Sequence, residues 1–145
     1  MNRRVNPKHI DGGDLSALID GPRNLDVTSY LARHQPSCHS DIGELLIRSA
    51  DKCGEWFAFS PSFWRCAFVV LVTNRTVFAL GMGQRSACYR LPGGLHTTAL
   101  ATGAVEVREI GADWVRFELF RADWPNPDLA FWTLKAYTAA SEHHE

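Results

Sequence analysis

Residues 68–91, FVVLVTNRTVFALGMGQRSACYRL, decide the fold of this 145-residue chain. The run that leads into them, residues 65–73 (RCAFVVLVT), is dense in β-branched and aromatic residues. It has no 3.6-residue period, so it predicts a well-buried strand. Asn74-Arg75 joins it to a second strand at residues 76–80. A two-residue hairpin link of type I′ needs positive φ, which Asn tolerates, so this pair predicts a tight antiparallel hairpin. Gly81-Met82-Gly83 reads as the next turn. Residues 85–91 read as a third strand, ended by Pro92-Gly93-Gly94.

Downstream, residues 96–101 predict a weaker strand, and residues 104–110 and 114–120 two more, joined by Gly111-Ala112-Asp113. Val115, Phe117 and Leu119 alternate with Arg116 and Glu118, the two-residue period of a half-buried strand. Residues 123–127 (DWPNP) break this pattern, and Asn126 or Asp128 can cap a helix over the last stretch of the chain. Leu129, Trp132, Ala136, Tyr137 and Ala140 share a helical face. The same stretch half-fits alternation, so a last strand stays open as the second reading.

Upstream, residues 56–59 (WFAF) predict a short strand. Residues 1–13 read as a flexible arm ending in the breaker Asp11-Gly12-Gly13. Residues 14–20 fit one or two helical turns, stopped by Gly21-Pro22. Asp26 is placed to cap a helix over residues 26–34, stopped by Pro36. Ser40 or Asp41 would cap a third helix carrying Ile42, Leu45 and Leu46 on one face, with Glu44 and Arg48 paired four residues apart. It would end at Cys53-Gly54. The expectation is one α+β domain over residues 14–145. Residues 14–54 would be helical, residues 55–122 a strongly bent antiparallel meander of about seven strands, and residues 126–141 a C-terminal helix closing it.

Residues 55–141 resemble bacterial pleckstrin-homology-like and GRAM-type domains. The resemblance is carried by Thr73-Asn74-Arg75, by Val77-Phe78-Ala79-Leu80, by Tyr89-Arg90-Leu91-Pro92 and by the closing helix. It implies a rolled sheet and a binding module. In those families the loop between the first two strands can bind phosphoinositides. Here that loop is residues 60–64 (SPSFW), with one adjacent arginine and no lysine.

Hydrophobic residues make up 46% of the chain, enough to build a core, and the formal net charge is −1. That balance leaves no electrostatic footprint for nucleic acid. Only three lysines occur, and arginine carries the rest of the positive charge. No apolar stretch comes after the basic first ten residues, and the longest apolar run, residues 66–72, falls far short of the roughly 18–20 residues of a membrane span. Cytoplasmic residence is expected, with the four cysteines reduced.

His34, Cys38, His39 and Cys53 form the most metal-like set. They lack the paired C-x2-C spacing of zinc sites, so no metal is expected. Cys66 and Cys88 fall in predicted strands and read as inert core thiols. His96 is the best lone acid–base candidate but has no partner at a readable spacing. Gly81-Met82-Gly83 lacks the Gly-Lys-Ser/Thr ending of a phosphate loop. No catalytic set and no cofactor are expected.

The binding candidates are Trp64, Arg65, Arg75, Arg85, Tyr89, Arg90 and His96. Arginines beside aromatics on hairpin connections are the composition of protein-binding hot spots. Trp114 and Trp132 fit core positions, whereas Trp64 and Trp124 lie in proline-containing loops and are expected to be exposed. The reading is a non-catalytic module that binds a protein partner, with self-association left open. Two alternatives stand beside it. One is a small-molecule or enzymatic pocket between sheet and helix, with Tyr89 and His96 pointing in. The other is recognition of an anionic membrane surface by the loop arginines.

Overall fold

Asn74 and Arg75 both take positive φ, 51° and 55°, and close the tight hairpin that their positions predict. The computed structural model containing this hairpin describes residues 9–123 and 125–142. The strands are β1 (His9–Asp11), β2 (Phe57–Ser60), β3 (Val69–Thr73), β4 (Thr76–Met82), β5 (Ser86–Arg90), β6 (Val105–Glu106) and β7 (Trp114–Glu118). The helices are α1 (Leu25–His34), α2 (Ser40–Ser49), α3 (Gly94–Ala101) and α4 (Leu129–Ser141). Three 3-10 turns, at Leu15–Ala17, Pro22–Asn24 and Phe63–Arg65, connect them.

The strands form one seven-stranded sheet in the order β1-β2-β3-β4-β5-β7-β6. The β1–β2 pair is parallel and the other pairs are antiparallel. The α+β class and the closing C-terminal helix agree with the sequence. The sheet, however, has two edges, β1 and β6, and is open rather than rolled shut.

Both faces of the sheet are covered. Leu71, Phe78, Tyr89 and Phe117 pack with Ile42 and Leu46 of α2 and with Trp132 and Ala136 of α4. Val70, Val72, Leu80 and Trp114 pack on the other face with Val27 and Leu31 of α1 and with Ile19. This explains the sequence of β3, which is buried at every position. A strand sandwiched between two helical layers has no polar face to alternate. Gly43 lets α2 settle onto β3, since a Cβ there would lie 3.3 Å from Val69 Cγ2.

Several local expectations are corrected. Within the predicted arm, His9–Asp11 is a strand paired with β2. Residues 96–101 belong to helix α3, not to a strand; Ala99 is buried beneath it and Thr98 Oγ1 bonds back to the Gly94 carbonyl at 2.9 Å. Only Val105–Glu106 of residues 104–110 is extended, because Ile110 N and Gly111 N both turn back to the Val107 carbonyl. Strand β3 starts at Val69 rather than residue 65, since Cys66 ends a 3-10 turn in the left-handed region at φ 58°. Strand β4 runs through Gly81 and Met82, so the turn falls after them. The cap of α2 is His39, whose Nδ1 accepts from Asp41 N at 3.0 Å. Asp26 lies inside the first turn of α1. The C-terminal ambiguity resolves as a helix, with Asp128 accepting from Phe131 N as its N-cap. Cys88 is buried as expected, but Cys66 is exposed.

Candidate functional site

In an antiparallel meander successive connections alternate between the two ends of the sheet. The connections before β3 and after β4 therefore share one end, and the Asn74-Arg75 turn lies at the other. Arg65 and Arg85 belong to the first end, Arg75 and Arg90 to the second. The four arginines, grouped in sequence as one set of binding candidates, do not gather on one surface.

At the second end the arginines are spent on the fold. Arg90 Nε donates to the Val77 carbonyl at 2.8 Å. Its Nη1 and Nη2 donate to the two carboxylate oxygens of Asp26 at 3.1 and 3.3 Å. Trp114 Nε1 donates to the same carboxylate at 3.1 Å, and the guanidinium lies 5.0 Å from the centroid of the Trp114 ring. Arg75 Nη2 donates to the Ile19 carbonyl at 2.8 Å. Asn24, fully buried, accepts from Val77 N at 2.7 Å and donates to the Arg75 carbonyl at 2.9 Å. Together these bonds fasten α1 and the turns before it to the sheet.

Tyr89 and His96 are likewise committed elsewhere. Tyr89 is fully buried against α4, and its hydroxyl lies 2.7 Å from Thr133 Oγ1, which in turn lies 2.7 Å from Ser49 Oγ. Burial pushes the Tyr89 phenol above its ordinary range, outweighing the opposing effect of its Thr133 hydrogen bond. Tyr89 is thus a fully buried core residue. His96 sits on α3, and its Nε2 lies 3.2 Å from Glu106 Oε2. Glu106 also accepts from Arg108 Nε at 3.1 Å. The His96 hydrogen bond, ahead of that from Arg108, holds the Glu106 carboxyl below its usual range.

The metal-like set is dispersed. His34 ends α1 and its ring packs against Tyr30 at 4.4 Å. Cys38 and Cys53 flank opposite ends of α2, a ten-residue helix about 15 Å long. Among the described residues no group of three His, Cys, Asp or Glu side chains could hold a metal ion.

The first end of the sheet is different. Trp64 is 73% exposed, the largest exposed hydrophobic side chain among the described residues. The Arg65 guanidinium stacks 4.4 Å from its ring centroid. Trp124 lies outside the described residues. Beside Trp64 runs a groove of about 330 Å³ between the β2–β3 connection and the start of α2. Phe63, Ile47, Val69 and Cys38 give it an apolar lining, and His39 and Glu44 stand on its α2 side. Its geometry is held by the backbone. Cys38 N donates to the Cys66 carbonyl at 2.7 Å, His39 N to the Gly83 carbonyl at 2.8 Å, and Phe63 N to the Asp11 carboxylate at 3.1 Å. His9 also lines the groove, and its buried Nε2 has no hydrogen-bond partner among the described residues.

A smaller cavity of about 270 Å³ lies where α2, α4 and the end of β7 meet, lined by Leu45, Leu119, Pro127 and Leu129 with Arg48. It presents no exposed aromatic. Of the residues singled out from sequence, the fold brings Trp64 and Arg65 together at the groove and leaves Arg85 exposed in the β4–β5 turn at the same end. The groove's other wall, from His39 to Ile47, was missed. In sequence it shows only an amphipathic helix, with nothing to place its first turns opposite residues 63–67.

No helix among the described residues is long and apolar enough to cross a membrane. Comparison with protein-family models, with curated proteins and with solved structures gives no match.

Proposed function

We propose that this domain is a non-catalytic binding module that takes a protein partner at the Trp64 groove. The observation that carries the reading is Trp64 itself, held 73% exposed beneath Arg65 on the rim of an apolar groove. An exposed tryptophan loses solvent contact at little entropic cost, because its ring has only two side-chain torsions and here one face is already packed by a guanidinium. The chemistry of the groove favours a peptide segment with an apolar side chain for the lining of Phe63, Ile47 and Val69. A carboxylate on the same segment would meet Arg65 in the forked geometry that guanidinium favours. His9 Nε2 offers one further polar contact at depth.

Peptide-display selection on the immobilised domain tests this. The enriched sequences should pair a large apolar residue with Asp or Glu. Their retention should be lost on Trp64→Ala and weakened on Arg65→Ala. Lys52→Ala, in the exposed segment after α2 at the far end of the sheet, should leave retention intact. Peptides that bind Trp64→Ala as well as the unaltered domain would remove the groove from the account.

A further inference from the structure

We infer that Cys38 and Cys66 form an oxidisable dithiol, a site at which a hydroperoxide closes a reversible disulfide across the groove. The argument begins with the backbone. An isolated antiparallel bridge pairs Ser37 with Ala67, which sets Cys38 opposite Cys66. Cys38 N donates to the Cys66 carbonyl at 2.7 Å, while Cys66 N turns back to the Phe63 carbonyl, so one of the two bonds of a paired position is made. Residues opposed across an antiparallel bridge have Cα atoms about 4.5–5.5 Å apart. That lies inside the range of about 4.4–6.8 Å that a disulfide spans.

The side chains are suitably placed. Both cysteines are free thiols and both line the groove beside Trp64, where about 330 Å³ of open space leaves room for a side-chain rotation. Cys66 is exposed at φ 58°, whereas Cys38 is 2% exposed. The other two thiols are poorly placed for the exchange. Cys53 lies beyond the far end of α2, and Cys88 is buried in the core on the opposite face of the sheet. Burial pushes the Cys38 thiol up to about 12, even though the Gly43 N–H at the start of α2 opposes the shift. Cys66 is therefore the thiol that meets the oxidant.

The chemistry balances with a hydroperoxide as the named oxidant. The Cys66 sulfur attacks the peroxide, forming an S–O bond and breaking the O–O bond. With hydrogen peroxide the leaving hydroxide takes up the Cys66 proton and departs as water. The Cys38 sulfur then attacks the sulfenic sulfur, forming S–S and breaking S–O, and the second hydroxide leaves with the Cys38 proton as water. Two thiols are oxidised by two electrons in total, and one peroxide is reduced to two waters. The product ties the Phe63–Arg65 turn, which carries Trp64, to the segment that leads into α2. Thiol reductants reopen it by exchange. The disulfide itself does not rest on the partner reading.

Mass spectrometry of the intact, folded domain after mild hydrogen peroxide treatment decides the matter. Unreacted thiols are blocked with N-ethylmaleimide and the protein is digested with trypsin without reduction. The arginine and lysine positions place the four cysteines on separate peptides, 34–48, 53–65, 66–75 and 86–90. The expected product is peptide 34–48 linked to 66–75, about 2 Da below the sum of the two free-thiol peptides. Two blocked thiols should remain on the other peptides. Cys66→Ser, at an exposed position, should abolish the link and leave Cys38 as a free thiol. Cys38→Ser should leave a Cys66 sulfenic acid that dimedone traps. A link through Cys53 or Cys88 would overturn the inference. So would over-oxidised Cys66 beside an untouched Cys38 in the unaltered domain.

Discussion

Replacing Asp26 by Ala removes one carboxylate and leaves four donors behind: both terminal nitrogens of Arg90, the indole N–H of Trp114 and the backbone N–H of Val27. The Arg90 side chain is only 15% exposed and that of Asp26 29%. Leaving one partner of a buried ion pair uncompensated costs about 3–5 kcal/mol. The partial exposure of Asp26 moves the expectation to the lower end, about 3 kcal/mol. For a domain of this size each kcal/mol shifts Tm by about 2–4 °C, so the midpoint should fall by about 6–12 °C. Urea denaturation gives the free energy and calorimetry the midpoint. Asp26→Asn, which keeps an acceptor oxygen, should lie between the two proteins. Asp26→Ala combined with Arg90→Met should lose less than the two single changes added together, since the orphaned cation is gone. A loss below about 1 kcal/mol, the range of an exposed salt bridge, would refute the view that Arg90 is a structural clamp.

Three further outcomes concern Tyr30, Tyr89 and the Glu106 pair. Tyr89→Phe should cost about 1 kcal/mol, because it removes one hydroxyl while Thr133 and Ser49 keep each other; urea unfolding reads it, and groove binding should not change. Glu106 has a depressed folded pKa, set first by His96 and then by Arg108. The stability it adds is therefore present above the unfolded carboxylate value of about 4.3 and is lost as pH falls through the folded value. The gap in urea midpoint between the unaltered protein and Glu106→Gln should close on acidification below that point, and a gap independent of pH would contradict the pairing. Tyr30 and Tyr89 both have raised phenol pKa values, chiefly through burial. Above pH about 10 the unfolded phenols lose protons that the folded ones keep, so stability should fall as pH rises further. Ultraviolet titration should show these tyrosines ionising late, and a single ordinary step for all tyrosines would count against it.

The hairpin core was legible because its chemistry is local: the Asn74-Arg75 link adopts the positive φ it implied, and the apolar run 69–72 is a strand buried on both faces. The elements that were missed depend on distant partners. The three-residue strand β1 exists only through its parallel pairing with β2, some fifty residues away in sequence, and Gly12-Gly13 masked it as a breaker. In α3 the β-branched pair Thr97-Thr98 argues for a strand, but burial of Ala99 on the sheet overrides that propensity. The shared end of Arg65 and Arg85, and the separation of both from Arg75, was latent in the strand count. A meander alternates its connections, so parity alone separates them. Trp64 was legible from its proline-containing loop. Tyr89 was not, since a tyrosine on a strand looks the same in sequence whether its hydroxyl meets water or Thr133.

The central claim is that Trp64 anchors a protein partner, and calorimetric titration of a display-selected peptide against the unaltered domain and Trp64→Ala tests it most directly. A buried aromatic anchor contributes about 2 kcal/mol or more, so Kd should rise about 30-fold or beyond in the variant, with its unfolding midpoint unchanged. Equal affinities for the two proteins would contradict the account.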